Sequence, residues 1–160
     1  VRPSNHVFHS FMRVINLVAT LLLLALWGIP LYFYGALPER MPVHFNLAGD
    51  ADRWGTKSTI WLLPMIGALI YFGFGWLSRH PEKLNYLKPV TSENAARQYA
   101  NGVQLLVAMR CVVLALFLLL TVNAVRIGLH HDPLLHGNGW GIAILLGIIA
   151  LNWYFLAKNG

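Results

Sequence analysis

The sequence predicts an all-α integral membrane protein, a four-helix transmembrane bundle with a structured extracytoplasmic loop between helices 1 and 2. Two observations support this fold class. The chain of 160 residues is 57% hydrophobic and only 11% charged, whereas soluble domains carry about 25% charged residues. Its apolar residues also form long stretches that polar segments separate. A soluble fold of this size cannot hide so much apolar surface, but a lipid bilayer can cover it.

Each apolar stretch is long enough to cross a bilayer, since about 20 helical residues cover about 30 Å. The predicted spans are about 14–34, 59–77, 103–126 and 140–156. The first is longer than the apolar part of a cleaved secretory signal, so we expect a retained anchor. The third belongs to a longer helix that runs to about Leu129, with Thr91 or Ser92 expected to cap its start. We expect one membrane domain over 1–160.

Basic residues flank these stretches and predict the orientation. Seven lie on the side of the termini and the linker 79–92: Arg2, Arg13, Arg79, Lys83, Lys88, Arg97 and Lys158. Four lie on the other side: Arg40, Arg53, Lys57 and Arg126. The positive-inside rule therefore places both termini and the linker in the cytoplasm. The net charge of +6 then reflects topology and lipid headgroups, and we expect no nucleic-acid partner because no basic run is present.

The loop 37–57, LPERMPVHFNLAGDADRWGTK, carries more specific chemistry than a connector needs. Its prolines favour an extended or turned path, VHF alternates as a strand does, and NLAGD is rich in turn formers. We expect a compact cap that packs on itself. The candidate binding residues of this loop are Pro38, Pro42, His44, Asn46, Gly49, Asp52, Trp54 and Lys57.

Metal binding and catalysis are weaker interpretations of the same side. The metal candidates are His44, Asp52, His130, His131 and His136, whose spacing matches no metal signature. We therefore expect no metal and no cofactor. All six Asp and Glu residues lie outside the predicted spans, and no nucleophile motif such as G-x-S-x-G is present. We expect no enzymatic activity.

Four polar residues of the membrane part are also candidates: Arg110, Gln104, Asn16 and Asn152. Ionisable residues inside a bilayer are costly and often functional. Arg110 lies near the inner boundary, so we expect it to extend toward that boundary or to pair with a lipid headgroup. Asn16, Asn152 and Asn123 are expected to form hydrogen bonds between helices. The single cysteine, Cys111, is expected to behave as a small apolar residue.

The loop spacing LP-x-x-x-P-x-H-F-N-x-x-G-x-x-D-x-W-x-x-K, followed by an apolar helix with an early Pro64, resembles a bacterial family of uncharacterised membrane domains. That domain also forms the N-terminal part of SdpI-type immunity proteins. The similarity covers roughly Leu17 to Leu77. It implies a location in the bacterial cytoplasmic membrane. SdpI-type proteins protect a cell against a secreted peptide toxin and can hold a cytoplasmic repressor at the membrane, but they carry further helices that this sequence does not match.

These observations leave several functions open. The leading hypothesis is a non-enzymatic inner-membrane protein that recognises a peptide or protein partner through the outer loop, in the manner of immunity or signalling proteins. The first alternative is a small accessory subunit of a larger membrane complex, with the loop as a docking surface. The second is a metal-binding or transport-related protein. The loop can also be interpreted as a cap that only stabilises the first two helices.

Overall fold

The computed structural model describes residues 5–135, 143–144, 146–150 and 153–154. This part of the chain is mostly helical. Its elements are α1 (Asn5–Phe33), β1 (Arg40–Phe45), β2 (Ala51–Thr56), α2 (Leu62–Leu77) and α3 (Ala95–Gly128). Short 3-10 turns lie at Tyr34–Ala36, Lys57–Trp61 and Pro81–Lys83.

Three segments are long and apolar enough to cross a membrane: Met12–Ala36, Lys57–Leu77 and Ala95–Gly128. They overlap the first three predicted spans and indicate a membrane protein. Large apolar side chains on their outer faces are exposed, among them Leu24, Leu69 and Phe72. A bilayer covers such surface. Within the fourth predicted span, 140–156, the structure describes residues 143–144, 146–150 and 153–154, and these are helical.

Helices α1 and α2 pack against α3. A small core forms where Ala19 and Leu26 of α1 meet Leu114 of α3, each with no exposed surface. Gly67 of α2 lies against this core, because a Cβ on it would come within 2.7 Å of Leu26 Cδ2 and 3.3 Å of Leu114 Cδ2. A small residue therefore lets α2 approach α1 and α3 closely.

The linker between α2 and α3 packs on the start of α3. A Cβ on Gly102 would lie 2.9 Å from the Tyr86 hydroxyl, and that hydroxyl donates to the Pro81 carbonyl at 2.8 Å. The long third helix is confirmed, but its cap differs from the prediction. The helix begins at Ala95, and the Asn94 side chain accepts from the Thr91 amide at 2.9 Å and donates to the Pro89 carbonyl at 3.0 Å.

The loop 37–57 folds as a β-hairpin, so the described part of the chain is not purely helical. Its strands form a two-stranded antiparallel sheet. We call the end of the bundle that carries this hairpin and residues 129–135 the hairpin end. The opposite end, with residues 78–94, is the linker end.

Candidate functional site

The hairpin contains two irregularities that place its polar side chains. Pro42 lies opposite Trp54, His44 opposite Arg53 and Phe45 opposite Ala51. Register shifts on either side of His44 leave Val43 and Asp52 without an opposed residue. Such bulges re-aim side chains and bend a strand. Here they bring the His44 imidazole to the Asp52 carboxylate, with Nδ1 2.6 Å from Oδ1.

Asn46 and Gly49 build the turn of the hairpin. The Asn46 side-chain oxygen accepts from the backbone amides of Ala48 at 2.9 Å and Asp50 at 3.0 Å. Gly49 adopts φ +88°, a left-handed conformation that other residues rarely adopt. The turn is therefore fixed by the chain itself, and these two predicted binding residues have a structural role.

The base of the hairpin is held by Lys57. Its ammonium lies 2.7 Å from the Glu39 carboxylate and 5.2 Å from the centre of the Tyr34 ring. The Lys57 backbone amide also donates to the Glu39 carbonyl at 3.0 Å. Pro38 lies half-buried just before Glu39. Lys57 therefore closes the hairpin onto the end of α1, which makes it a structural residue too.

Met41 anchors the hairpin to α3. It is 1% exposed and lies against Gly128, where a Cβ would come within 2.5 Å of its sulfur. Around it packs an apolar cluster whose buried members are Leu37, Met41, Ile60, Ala124 and Val125. Pro42 is buried as well. The hairpin is therefore a fixed platform on the bundle.

The second loop of the hairpin end is tied to the same platform. Asn123 of α3 is fully buried and its side-chain oxygen accepts from the amides of Leu134 at 2.7 Å and Leu135 at 3.3 Å. A Cβ on Gly49 would lie 2.6 Å from the Leu135 carbonyl oxygen. Asn123 therefore holds a loop in place, where the sequence analysis expected an interhelical contact. The two loops form one continuous surface.

Besides Asn46 at the turn, three candidate residues are exposed on this platform. The side chains of His44 and Asp52 are 55% and 44% exposed, and Trp54 is 43% exposed. Leu47, at the turn, is 62% exposed. Sequence reasoning missed Leu47, although its position between the turn formers Asn46 and Gly49 places it at the tip of a turn. Arg40 and Trp54 also border a shallow depression of about 360 Å³.

An apolar cavity of about 300 Å³ lies beneath β1, between the hairpin and the helices. Its lining comes from β1 (Met41, Pro42, Val43, His44 and Phe45), from the start of α2 and from Leu120, Thr121 and Ala124 of α3. The Thr121 hydroxyl is buried and has no hydrogen-bond partner among the described residues. The cavity size is at the lower end of the range of ligand pockets, about 300–1,000 Å³.

The metal candidates do not come together in the described part of the chain. His44 meets Asp52, but no group of three or more His, Cys, Asp or Glu side chains suited to a metal ion is present among the residues that the structure describes. His130 and His131 are exposed at the end of α3, where His130 adopts φ 60° and ends the helix. His136 lies outside the described residues.

The polar candidates of the membrane part also differ in where the structure places them. Arg110 is 5% exposed, buried among the helices, and donates to the side-chain oxygen of Asn16. Arg110 therefore stays inside the bundle, and the prediction that it extends toward the inner boundary is wrong. Gln104 is half-buried on α3. Asn152 lies outside the described residues.

Comparison with known proteins identifies the segment that contains the hairpin. Residues 21–68 match the family model described as "Domain of unknown function (DUF1648)". An uncharacterized protein of Archaeoglobus fulgidus is 32% identical in an alignment of 91 residues that covers 52% of this chain and 48% of the relative. The chain thus spans about half the length of the curated relative it matches. No solved structure matches the chain. The predicted likeness to a domain of unknown function is confirmed for residues 21–68, which run from α1 through the hairpin into α2.

Proposed function

We propose that this protein recognises an extended peptide, or an extended segment of a partner protein, through the hairpin end, and that it does so without enzymatic chemistry. The observation that carries this proposal is the exposed β2 strand on a firmly docked hairpin. Asp52, Arg53 and Trp54 are all exposed along β2, and the sheet has two strands within the described residues. The outer edge of β2 therefore has no strand partner there.

An edge strand offers backbone groups to a third strand, which is how several recognition domains bind extended peptides. Backbone hydrogen bonds supply affinity in this mode, and side-chain pockets supply specificity. Trp54 is suited to contact such a segment because aromatic residues dominate binding energy at interfaces. The His44–Asp52 pair adds directional polar contacts, with an aspartate that orients the imidazole.

The shape of the hairpin surface, more than its charge, is expected to determine which partner binds. Three acids and three bases of the loop, Glu39, Asp50, Asp52, Arg40, Arg53 and Lys57, balance one another. The exposed Leu47 and Trp54 give the hairpin its apolar contacts. We therefore infer that the bound segment is extended and carries an exposed apolar residue.

The docking of the hairpin supports binding because little order has to be gained when a partner arrives. Met41, Lys57 and Asn46 fix its position, its base and its turn. A platform that is already in its bound conformation loses less entropy on association. In a bacterial cell the predicted orientation places this surface outside the cytoplasmic membrane. A secreted peptide or the outer part of another membrane protein would reach it there, in the manner of immunity or signalling proteins.

The experiment is site-specific photocrosslinking in cells that express the tagged protein. A benzoylphenylalanine placed at Arg53, on β2, should give discrete protein or peptide adducts that mass spectrometry identifies. The same probe at Leu69, which is 74% exposed on α2, is the control for lipid-facing surface. In the protein that carries the probe at position 53, Trp54→Ala should remove most of the adduct, while Trp54→Phe should retain part of it.

The outcomes separate the candidate functions. No adducts at Arg53 would overturn peptide recognition and leave the hairpin as a stabilising cap. Adducts that persist in Trp54→Ala would overturn the role of Trp54. Stoichiometric co-purification of a membrane protein that crosslinks at both Arg53 and Leu69 would favour the accessory subunit. Metal that remains with the purified protein and is lost in His44→Ala would favour the metal-binding alternative.

A further inference from the structure

A second cavity, of about 670 Å³, lies between the three helices near the linker end. Arg110 of α3, Asn16 of α1 and Tyr71 and Gly75 of α2 line it, and Ser78 and Arg79 form its end beyond α2. We propose that this cavity binds a phosphate group, with the Arg110 guanidinium as its main cationic contact. This site is independent of the hairpin.

The first argument is that Arg110 is held in the cavity by partners that carry no charge. It is 5% exposed. One Nη group donates to the Asn16 side chain, and the guanidinium carbon lies 4.9 Å from the centre of the Tyr71 ring. Tyr71 is itself positioned by the Thr20 hydroxyl, 2.8 Å from its own. The Nε of Arg110 is buried and has no hydrogen-bond partner among the described residues.

The second argument is that the chain supplies no acid for this cation. All six Asp and Glu residues lie outside α1, α2 and α3. Neither ion pair found in the described part of the chain involves Arg110. A buried charge is costly unless it is paired. A bound anion would supply both the missing charge and an acceptor for the unpaired Nε–H.

The third argument is the chemistry around the cavity mouth. Arg79 lines it, and the Lys83 ammonium lies 5.6 Å from the ring centre of Trp76, which also lines it. A guanidinium binds phosphate oxygens in a bidentate fork, and nearby amines add attraction. Arg110 lies level with Gly75, two residues before α2 ends at Leu77. That depth is close to the boundary where lipid phosphates lie.

The phosphate can belong to a phospholipid headgroup or to a soluble molecule, and the experiment distinguishes these sources. Thermal unfolding of the full chain in mild detergent, followed by tryptophan fluorescence, is measured against phosphatidylglycerol, phosphatidylcholine and inorganic phosphate. Phosphatidylcholine carries the same phosphodiester with a cationic choline that Arg79 and Lys83 disfavour. We expect phosphatidylglycerol to raise the melting temperature more than phosphatidylcholine does.

Two variants and a matched control test the residues. Arg110→Met keeps an unbranched apolar stem and removes the charge, and should weaken apparent binding about tenfold or more, the usual effect of losing hydrogen bonds to a charged group. Arg79→Gln changes an exposed residue and should weaken it several-fold. Arg97→Gln, an exposed arginine on α3 about 20 Å away along the helix, should leave binding unchanged.

Each result decides the proposal. A response to phosphatidylglycerol alone that is lost in Arg110→Met supports a lipid site, and a response to inorganic phosphate that is lost in the same variant supports a soluble ligand. No response to either lipid or to inorganic phosphate, or full binding by Arg110→Met, would overturn the site. If Arg110→Met does not fold, unchanged binding by Arg79→Gln overturns it instead.

Discussion

Because the hairpin docks on α3 through Met41, the effect of Gly128→Ala on stability should depend on whether Met41 is present. A Cβ on Gly128 would lie 2.5 Å from the Met41 sulfur and 2.8 Å from its terminal methyl, well inside the optimal separation of about 3.5–4.0 Å. Met41 is 1% exposed, so its side chain has little space to move into. Gly128→Ala should therefore force the hairpin away from the end of α3.

The magnitudes follow from these contacts. Overpacking costs about 1–3 kcal/mol, while alanine in a helix gains about 1 kcal/mol over glycine. Gly128→Ala should thus lower the free energy of unfolding by about 0–2 kcal/mol. Met41→Ala alone should lower it by about 2–5 kcal/mol, because it opens a cavity. In the Met41→Ala background the new methyl meets no clash, so Gly128→Ala should become stabilising by about 1 kcal/mol.

The assay is equilibrium unfolding in mixed detergent micelles, followed by tryptophan fluorescence, on the four proteins of this double-mutant cycle. We expect a coupling of about 1–3 kcal/mol. Gly73→Ala is the matched control, since a Cβ there meets nothing within 4 Å, and its effect should be the same in both backgrounds. If Gly128→Ala also has the same effect in both, then Met41 does not rest on Gly128 and the docked platform is wrong.

The remaining predictions concern the turn, the linker and the orientation. Gly49→Ala should lower the free energy of unfolding by about 2–4 kcal/mol, because it combines a left-handed backbone with a clash; unchanged stability in the same unfolding assay would contradict the turn. Burial raises the pKa of the Tyr86 phenol, and the nearby Tyr99 and Glu82 raise it further. The folded state therefore holds that proton more tightly, so stability should decline above the ordinary tyrosine value of 10.0, and Tyr86→Phe should remove that part of the decline in a pH series. In a Cys111→Ser background, a membrane-impermeant maleimide added to intact cells should label Leu47→Cys and spare Leu87→Cys; the reverse pattern would invert the orientation.

The sequence of the loop predicted its local conformation well, because the relevant signals are short-range. Asn46 and Gly49 are turn formers by their own chemistry, and the structure places both at the turn of the hairpin. The alternation of Val43, His44 and Phe45 indicated a strand, and β1 includes all three. What the pattern did not show is the bulge that pairs His44 with Asp52, since register shifts depend on how two strands meet.

The roles of individual loop residues were less predictable. Eight candidates shared one motif, yet Asn46, Gly49 and Lys57 build the hairpin, whereas Trp54 and the His44–Asp52 pair are exposed on it. A motif contains residues for folding and residues for binding together. Only burial and hydrogen bonding separate the two kinds.

Composition and hydropathy by themselves indicated a membrane protein with three helices long and apolar enough to cross a bilayer, because lipid imposes a length and an apolarity on each helix separately. Tertiary structure alone decided the rest. Arg110 turns to Asn16, 94 residues away in the chain, Asn123 holds the loop before Leu135, and Gly128 receives Met41. Each of these contacts joins segments that are distant in sequence, and the pattern of one segment carries no information about the neighbour against which it packs.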